Sequence, residues 1–93
     1  MYNEMLIDQI KEQLVRIKRE SGLLLLEIRQ RNGLTRQFVA ESIHMSHRNV
    51  YMIEREYITT LDEILKLYTF YYSKGYGTAE DDDRFRRILR MGG

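Results

Sequence analysis

The sequence contains no cysteine and no proline. Without cysteine the chain can form no disulfide, no thiolate nucleophile and no thiolate metal site. Without proline, nothing in the composition forces a break in a helix, so long uninterrupted helices are permitted.

Long apolar runs are also missing. The longest is the leucine stretch at 23–26, far short of the ~20 residues that a membrane span needs. The N-terminal segment carries Glu4 and Asp8, where a signal peptide would have basic residues followed by an apolar run. We expect a cytoplasmic protein with no membrane partner.

The chain has 93 residues, of which 43% are hydrophobic and 31% are charged. This composition fits one globular domain with room for an appended helix. His44 and His47 are three residues apart, as metal ligands on a helix can be, but no third ligand has suitable spacing. No set of nucleophile and base can be assembled either. We therefore expect no enzymatic activity, no metal and no cofactor.

Charge is balanced overall but not locally. The formal net charge of +1 neither supports nor excludes a nucleic-acid partner. Between Arg29 and Arg55, five arginines stand against two glutamates, which is a local charge of +3. The C-terminal tail sorts its charges by sign: an acidic run at 80–83 is followed by Arg84, Arg86, Arg87 and Arg90.

Apolar spacing predicts a first helix from about Asn3 to Glu20. Its stripe alternates spacings of three and four through Ile7, Ile10, Leu14 and Ile17, and continues through Ser21, Leu24 and Ile28. Ser21-Gly22 either interrupts this helix or only weakens it, because glycine costs about 1 kcal/mol inside a helix. The stripe either packs on its own domain or forms a dimer helix, and its length does not decide between them.

Capping residues divide the middle of the chain into three further helices. The second is predicted from about Leu23 to Asn32, ahead of a glycine. Thr35 is the N-cap candidate for a third helix that runs through residue 43. Ser46 is the N-cap candidate for a fourth helix over 47–56.

Two more helices are predicted in the last third. Thr60 and Glu63 form a capping box ahead of an apolar pattern, and Gly75 ends that helix. The acidic run at 80–83 and the arginines after it match the helix dipole of a last helix. Its apolar face would consist of Phe85, Ile88 and Leu89.

The third and fourth helices are separated only by residues 44–46, and two short helices with so tight a turn form a helix-turn-helix unit. The stretch from Gly22 to about Tyr72 resembles the DNA-binding domain of the Xre/Cro-type (lambda-repressor-like) transcriptional regulators. The residues that carry the resemblance are Gly22 to Arg29, Leu34-Thr35, Val39-Ala40, Ile43, Met45, Ser46, Val50, Ile53, Glu54 and Thr60 to Leu67.

The resemblance implies an all-α domain of four to five helices, here with an extra N-terminal helix. It also implies a partly buried salt bridge between Arg29 and Glu54 that joins the first helix of the family domain to the recognition helix. We divide the chain into an N-terminal packing or dimerisation helix at 1–21, a helix-turn-helix domain at 22–75 and a C-terminal helix or tail at 76–93.

The sequence departs from the family pattern in three ways. His44 stands where a turn glycine is usual, so it must adopt a positive φ or reshape the turn. Glu56 also stands where glycine is usual. Leucines replace commonly polar residues at 23, 24 and 26, and we expect the N-terminal helix, from this chain or a partner, to cover the extra apolar surface.

Helical period selects the residues that can touch DNA. With Val50 and Ile53 inward, the outward residues of the recognition helix are His47, Arg48, Asn49, Tyr51 and Met52. Arg48 and Asn49 are the leading base readers, because arginine pairs with guanine and asparagine with adenine in the major groove. The alternative is that they are solvated surface residues, or that Asn49 helps to cap the helix.

Phosphate contacts are expected beside the base readers. Arg36 opens the preceding helix, where its side chain would approach a phosphate. Thr35 and Tyr51 could also contact phosphates, or could be an N-cap and a packing residue instead. Ser46 and Arg55 complete the set of candidate DNA-binding residues.

The sequence therefore predicts a sequence-specific DNA-binding transcriptional regulator that acts on double-stranded DNA as a homodimeric repressor. Helix 47–56 would read the major groove. The alternative is a protein-interaction module, of antitoxin or anti-regulator type, that keeps the helix-turn-helix fold without DNA readout and has a protein partner instead.

Overall fold

The protein is described by a computed structural model over residues 4–90. Residues 1–3 and 91–93 lie outside the described residues, and with them the expected helix start at Asn3 and the outer ends of segments 1–21 and 76–93. The helices are α1 (Glu4–Arg31), α2 (Arg36–Ser42), α3 (His47–Tyr51), α4 (Leu61–Ser73) and α5 (Ala79–Arg90). A π-helical turn, Met52–Glu56, continues from α3 without a break and forms the end of the same helical segment, so the label α3 covers both. Residues 4–90 contain no strand, so the predicted all-α class is confirmed.

The helix α1 is continuous through Ser21 and Gly22, so the separate second helix predicted from Leu23 is wrong. Gly22 has a tertiary role. A Cβ built on it would lie only 2.3 Å from the carbonyl oxygen of Ile53. Glycine is present because α1 crosses the end of α3 at backbone contact, and the packing gained there outweighs its low helix propensity.

The apolar stripe of α1 changes environment along its length. From Ile17 onward, Ser21, Leu24 and Ile28 are buried in the domain. Nearer the N-terminus, Ile10 and Leu14 on the same stripe are exposed. At 1.5 Å per residue α1 is about 42 Å long, and it accounts for most of the 47 Å long axis of the molecule.

The N-caps that the sequence predicts at Thr35, Ser46 and Thr60 are confirmed. Their hydroxyl oxygens accept backbone hydrogen bonds from the third residue of each helix, at 3.1, 3.0 and 3.1 Å. Glu63 returns the bond to the Thr60 backbone N–H at 3.0 Å, which completes the predicted capping box. Each such cap stabilises its helix by about 1 kcal/mol.

The two departures at glycine positions have different outcomes. His44 has a φ of 55°, so it takes the positive φ expected of it. At the end of the recognition segment the positive φ falls on Tyr57, at 60°, and not on Glu56. There the carbonyl of Met52 accepts from the N–H groups of both Tyr57 and Ile58, and this wide turn ends the helix.

The core forms where α1 meets the other helices. Leu24, Leu25 and Ile28 of α1 join residues of every other helix, among them Val39, Ile53, Leu67, Tyr71, Phe85 and Ile88. Cover of the extra leucines by this chain's own N-terminal helix is wrong, because that helix is part of α1 itself and cannot fold over them. Cover by a partner's helix stays a prediction. Leu24 and Leu26 are buried all the same, Leu23 is half-buried, and α5 packs along α1.

Polar contacts fix α5 beside the C-terminal half of α1. Arg31 pairs with Asp81 through both of its terminal nitrogens, and one of these bonds measures 3.2 Å. Asp81 also accepts from the Thr78 backbone N–H at 2.8 Å, and Thr78 caps α5 in return. Burial raises the pKa of Asp81, but the hydrogen bonds from Arg31 and Thr78 outweigh it and hold the pKa below its ordinary value.

Candidate nucleic-acid interface

The helices α2 and α3 are held together from the inside of their turn. Val39, Ala40, Ile43 and Val50 are buried, and the Met45 N–H donates to the Ala40 carbonyl at 2.9 Å. The small side chain of Ala40 allows the two helices to approach, and His44 turns the chain in the left-handed conformation. The result is a tight, helix-turn-helix-like arrangement in which one edge of α3 faces away from the core.

Most of the residues that the sequence predicts to face outward from the recognition helix lie on that outer edge. His47, Arg48, Tyr51 and Arg55 are exposed, whereas Asn49 and Met52 are half-buried. Val50 and Ile53, on the opposite side, have no exposed surface. The inward side is therefore fixed by the core, and rotation of α3 cannot change which side chains face outward.

Asn49 has a different environment from Arg48. It lies at the mouth of a shallow cleft of about 260 Å³, lined also by His44, Met45, Ser46, Asp62, Glu63 and Lys66. Two carboxylates of α4 are thus near Asn49, while Arg48 is on the open side of the helix. Of the two leading base readers, Arg48 is the more accessible.

Thr35 and Ser46 occupy structural positions. Each hydroxyl accepts the backbone hydrogen bond that caps its helix. Their side chains are nevertheless exposed, at the first turns of α2 and α3. Both residues therefore fix the start of a helix that borders the outer surface.

Behind this edge, Glu54 joins three elements of the fold. Its side chain has no exposed surface. Arg29 of α1 donates from Nε to Oε2 at 2.7 Å and from Nη2 to Oε1 at 3.1 Å, which is the pair that the resemblance implied. The remaining Arg29 nitrogen donates to the Leu34 carbonyl at 2.9 Å. A buried carboxylate needs such partners, because an unpaired one costs several kcal/mol of folding free energy (about 3–5 when one partner is removed).

Arg36 is the second partner of Glu54, which the sequence interpretation missed. Its Nε donates to Oε1 at 2.9 Å, and its side chain is 23% exposed. Its guanidinium also lies over the ring of Tyr51, 5.2 Å from the centroid. Arg36 thus connects the first turn of α2 to α3, and its side chain is not directed only at solvent, where a phosphate would lie. Its position 18 residues from Glu54 gave no local signal for this contact.

These contacts reduce the free positive charge of the segment. Of the five arginines between residues 29 and 55, Arg29 and Arg36 pair with Glu54 and Arg31 pairs with Asp81. Within residues 4–90, Arg48 and Arg55 make no ion pair. The cationic groups available at this surface are therefore mainly those two.

No family model matches the chain, and no curated protein or solved structure matches it. In the described part of the chain, no group of three or more His, Asp or Glu side chains comes together as a metal site would require. None of the helices in residues 4–90 is long and apolar enough to cross a membrane. A functional conclusion must therefore come from the geometry and charge of the α2–α3 surface.

Proposed function

We propose that the protein is a sequence-specific DNA-binding regulator that acts as a homodimeric repressor. The observation that carries the proposal is the placement of Arg48, exposed and without an ion pair, on a short helix whose other side is fully buried. A helix presented in this way fits the major groove, and an arginine there can pair with O6 and N7 of guanine. The resemblance to Xre/Cro-type regulators supports the same interpretation.

The exposure of each side chain suggests which part of the DNA it contacts. Arg48 reads a base, and Asn49 reads a second base at the edge of its cleft, with Ser46, His47 and Met52 along the same side. Arg55 contacts a phosphate from the π-helical turn. Thr35, Arg36 and Tyr51 border a second phosphate position at the first turn of α2, where Arg36 retains its bond to Glu54.

The buried network behind α3 supports this role through rigidity. Glu54 connects the end of α3 to α1 through Arg29 and to α2 through Arg36. A recognition helix whose tilt is fixed in the free protein loses little conformational entropy on binding. Bound at a promoter, the dimer would act by occupancy, because it would block access to the duplex.

A selection of random DNA duplexes on the purified full-length protein tests the proposal. We expect enrichment of one sequence motif, made of two half-sites separated by about 34–36 Å, or one helical turn. Recovery of a pool with no enriched motif, at a salt concentration where the protein is folded and soluble, would contradict the proposal.

The second candidate function is a protein-interaction module, and one observation favours it. Internal ion pairs occupy three of the segment's five arginines, so the surface has few cations for phosphates. Salt dependence separates the two functions. Arg55 contacts one phosphate on each protomer and Arg36 borders a second, so a dimer contacting two to four phosphates should show a slope of log K against log salt of about −2 to −4. A protein-binding surface would show a slope near zero on DNA.

A further inference from the structure

The N-terminal half of α1 carries an apolar face that the rest of residues 4–90 does not cover. Ile10 is 47% exposed and Leu14 is 36% exposed, although the same stripe is buried from Ile17 onward. The stripe keeps the alternating three-and-four spacing of a coiled-coil seam on both sides of this change. The seam therefore continues beyond the domain that buries its C-terminal half.

The charges on this exposed segment complement those of a second copy that runs in the opposite direction. Residues 4–12 contain three acidic side chains and one lysine, a net −2, and residues 13–20 contain three basic side chains and one glutamate, a net +2. Two copies packed antiparallel place each negative half on a positive half. Two copies packed parallel would place like charges together, which is unfavourable.

We propose that a second copy of this chain packs antiparallel on the exposed stripe of α1, with Ile10 against the partner's Leu14. By two-fold symmetry Leu14 then contacts the partner's Ile10, and the axis passes near Glu12. In this register Glu4 lies beside the partner's Lys18, and this pair occurs twice. The register also contains one repulsive contact, between Lys11 and its own copy near the axis. The two attractive Glu4–Lys18 pairs outnumber it.

The register also gives a distance that can be compared with DNA. Gly22, where α1 crosses α3, lies about 15 Å along the helix from the axis at Glu12. The two crossing points of a dimer would therefore be about 30 Å apart along the seam, close to the ~34–36 Å between successive half-sites on one face of DNA. This last agreement rests on the proposed function, whereas the packing and charge arguments do not.

The seam is short, so the dimer should dissociate on dilution. Sedimentation equilibrium on the full chain measures this directly. We expect the mass to rise from that of the 11.3 kDa chain towards twice that value as concentration increases. Ile10→Gln should stay at the monomer mass. Val15→Gln is the matched control, because Val15 is 59% exposed on the same helix but lies off the stripe.

Disulfide formation between introduced cysteines tests whether the two helices are antiparallel or parallel. The chain has no cysteine of its own, so no native thiol can compete. Ile10→Cys and Leu14→Cys proteins, one with a larger tag, are mixed and oxidised. An antiparallel seam predicts a mixed disulfide between the two variants in excess over either self-pair. A parallel seam predicts self-pairs, and that result would overturn the proposal.

The outcomes for the seam and for DNA binding are separable. A wild-type protein that remains monomeric at every concentration would overturn the seam, even if it enriched a single half-site from random DNA. A protein that forms the antiparallel dimer but enriches no sequence would support the seam and contradict the proposed function. Equal loss of dimer in the Ile10 and Val15 variants would also overturn the seam.

Discussion

Arg36 donates from Nε to Oε1 of Glu54 across 2.9 Å, from the first turn of α2 to the buried end of α3. Arg29 already holds both oxygens of the same carboxylate. One buried anion therefore serves two cations on two different helices. Loss of Arg36 leaves Glu54 paired, whereas loss of Glu54 leaves Arg29 buried without an anion and removes the Arg36 bond between α2 and the end of α3.

Glu54→Ala should lower the stability of the protein sharply. Removing one partner of a buried pair costs about 3–5 kcal/mol, because the remaining charge has no partner. In a domain of this size that corresponds to a fall in Tm of more than about 10 °C. Thermal unfolding followed by circular dichroism measures it, and DNA binding should fall in parallel. Glu56→Ala, an exposed carboxylate two positions on, is the control and should leave Tm unchanged. A wild-type Tm for Glu54→Ala would contradict the buried network.

Gly22→Ala should destabilise the protein, although alanine is the better helix former by about 1 kcal/mol. The added Cβ would lie 2.3 Å from the Ile53 carbonyl oxygen and 3.0 Å from a ring carbon of Tyr57. Separating α1 from α3 to relieve this overlap should cost about 1–3 kcal/mol. Denaturant unfolding gives the sign of the change.

Gly77→Ala provides the comparison for this substitution. A Cβ there would meet its nearest neighbours at 3.6 Å, an ordinary contact, so its stability should be close to wild type. A gain in stability for Gly22→Ala would mean that α1 and α3 do not approach as closely as described.

Asp81→Asn should show a pH-dependent loss of stability. The folded pKa of Asp81 is lowered: burial raises it, but hydrogen bonds from Arg31 and Thr78 outweigh that effect. A lowered folded pKa gives stability that is present above the unfolded pKa, about 3.9, and is lost as the pH falls through the folded value.

The difference in unfolding free energy between wild type and Asp81→Asn should therefore be full at neutral pH and shrink below about pH 4. Urea unfolding across that range measures it. Asp83→Asn, at an exposed carboxylate on the same helix, should differ little from wild type at any pH. A gap between wild type and Asp81→Asn that stays constant down to about pH 2 would contradict the lowered pKa.

The sequence predicted the features that depend on neighbouring residues. The caps at Thr35, Ser46 and Thr60 are local, since each hydroxyl reaches an N–H three residues later. The strained turn at His44 follows from one residue type at one position. The inward side of α3, at Val50 and Ile53, follows from helical period.

Among distant contacts, only the pair of Arg29 and Glu54 was expected, because the resemblance implied it, and the others were missed or misjudged. Gly22 has the low helix propensity expected at a helix break, and only the approach of Ile53, 31 positions later, explains why a glycine stands inside a continuous helix. The bond between Arg36 and Glu54 requires α2 and α3 to be placed first. The same placement decides which arginines are neutralised, so the local charge of +3 overstated the positive charge available at the surface.

The most direct test of the account is the base preference of Arg48→Ala beside that of Arg36→Ala, measured on selected and random duplexes at one salt concentration. Arg48→Ala should cost about 1–3 kcal/mol on the selected duplex and relax the preference at one base pair. Arg36→Ala should weaken binding to all duplexes alike. Equal effects of both substitutions on selected and random DNA would contradict a base-reading role for the exposed edge of α3.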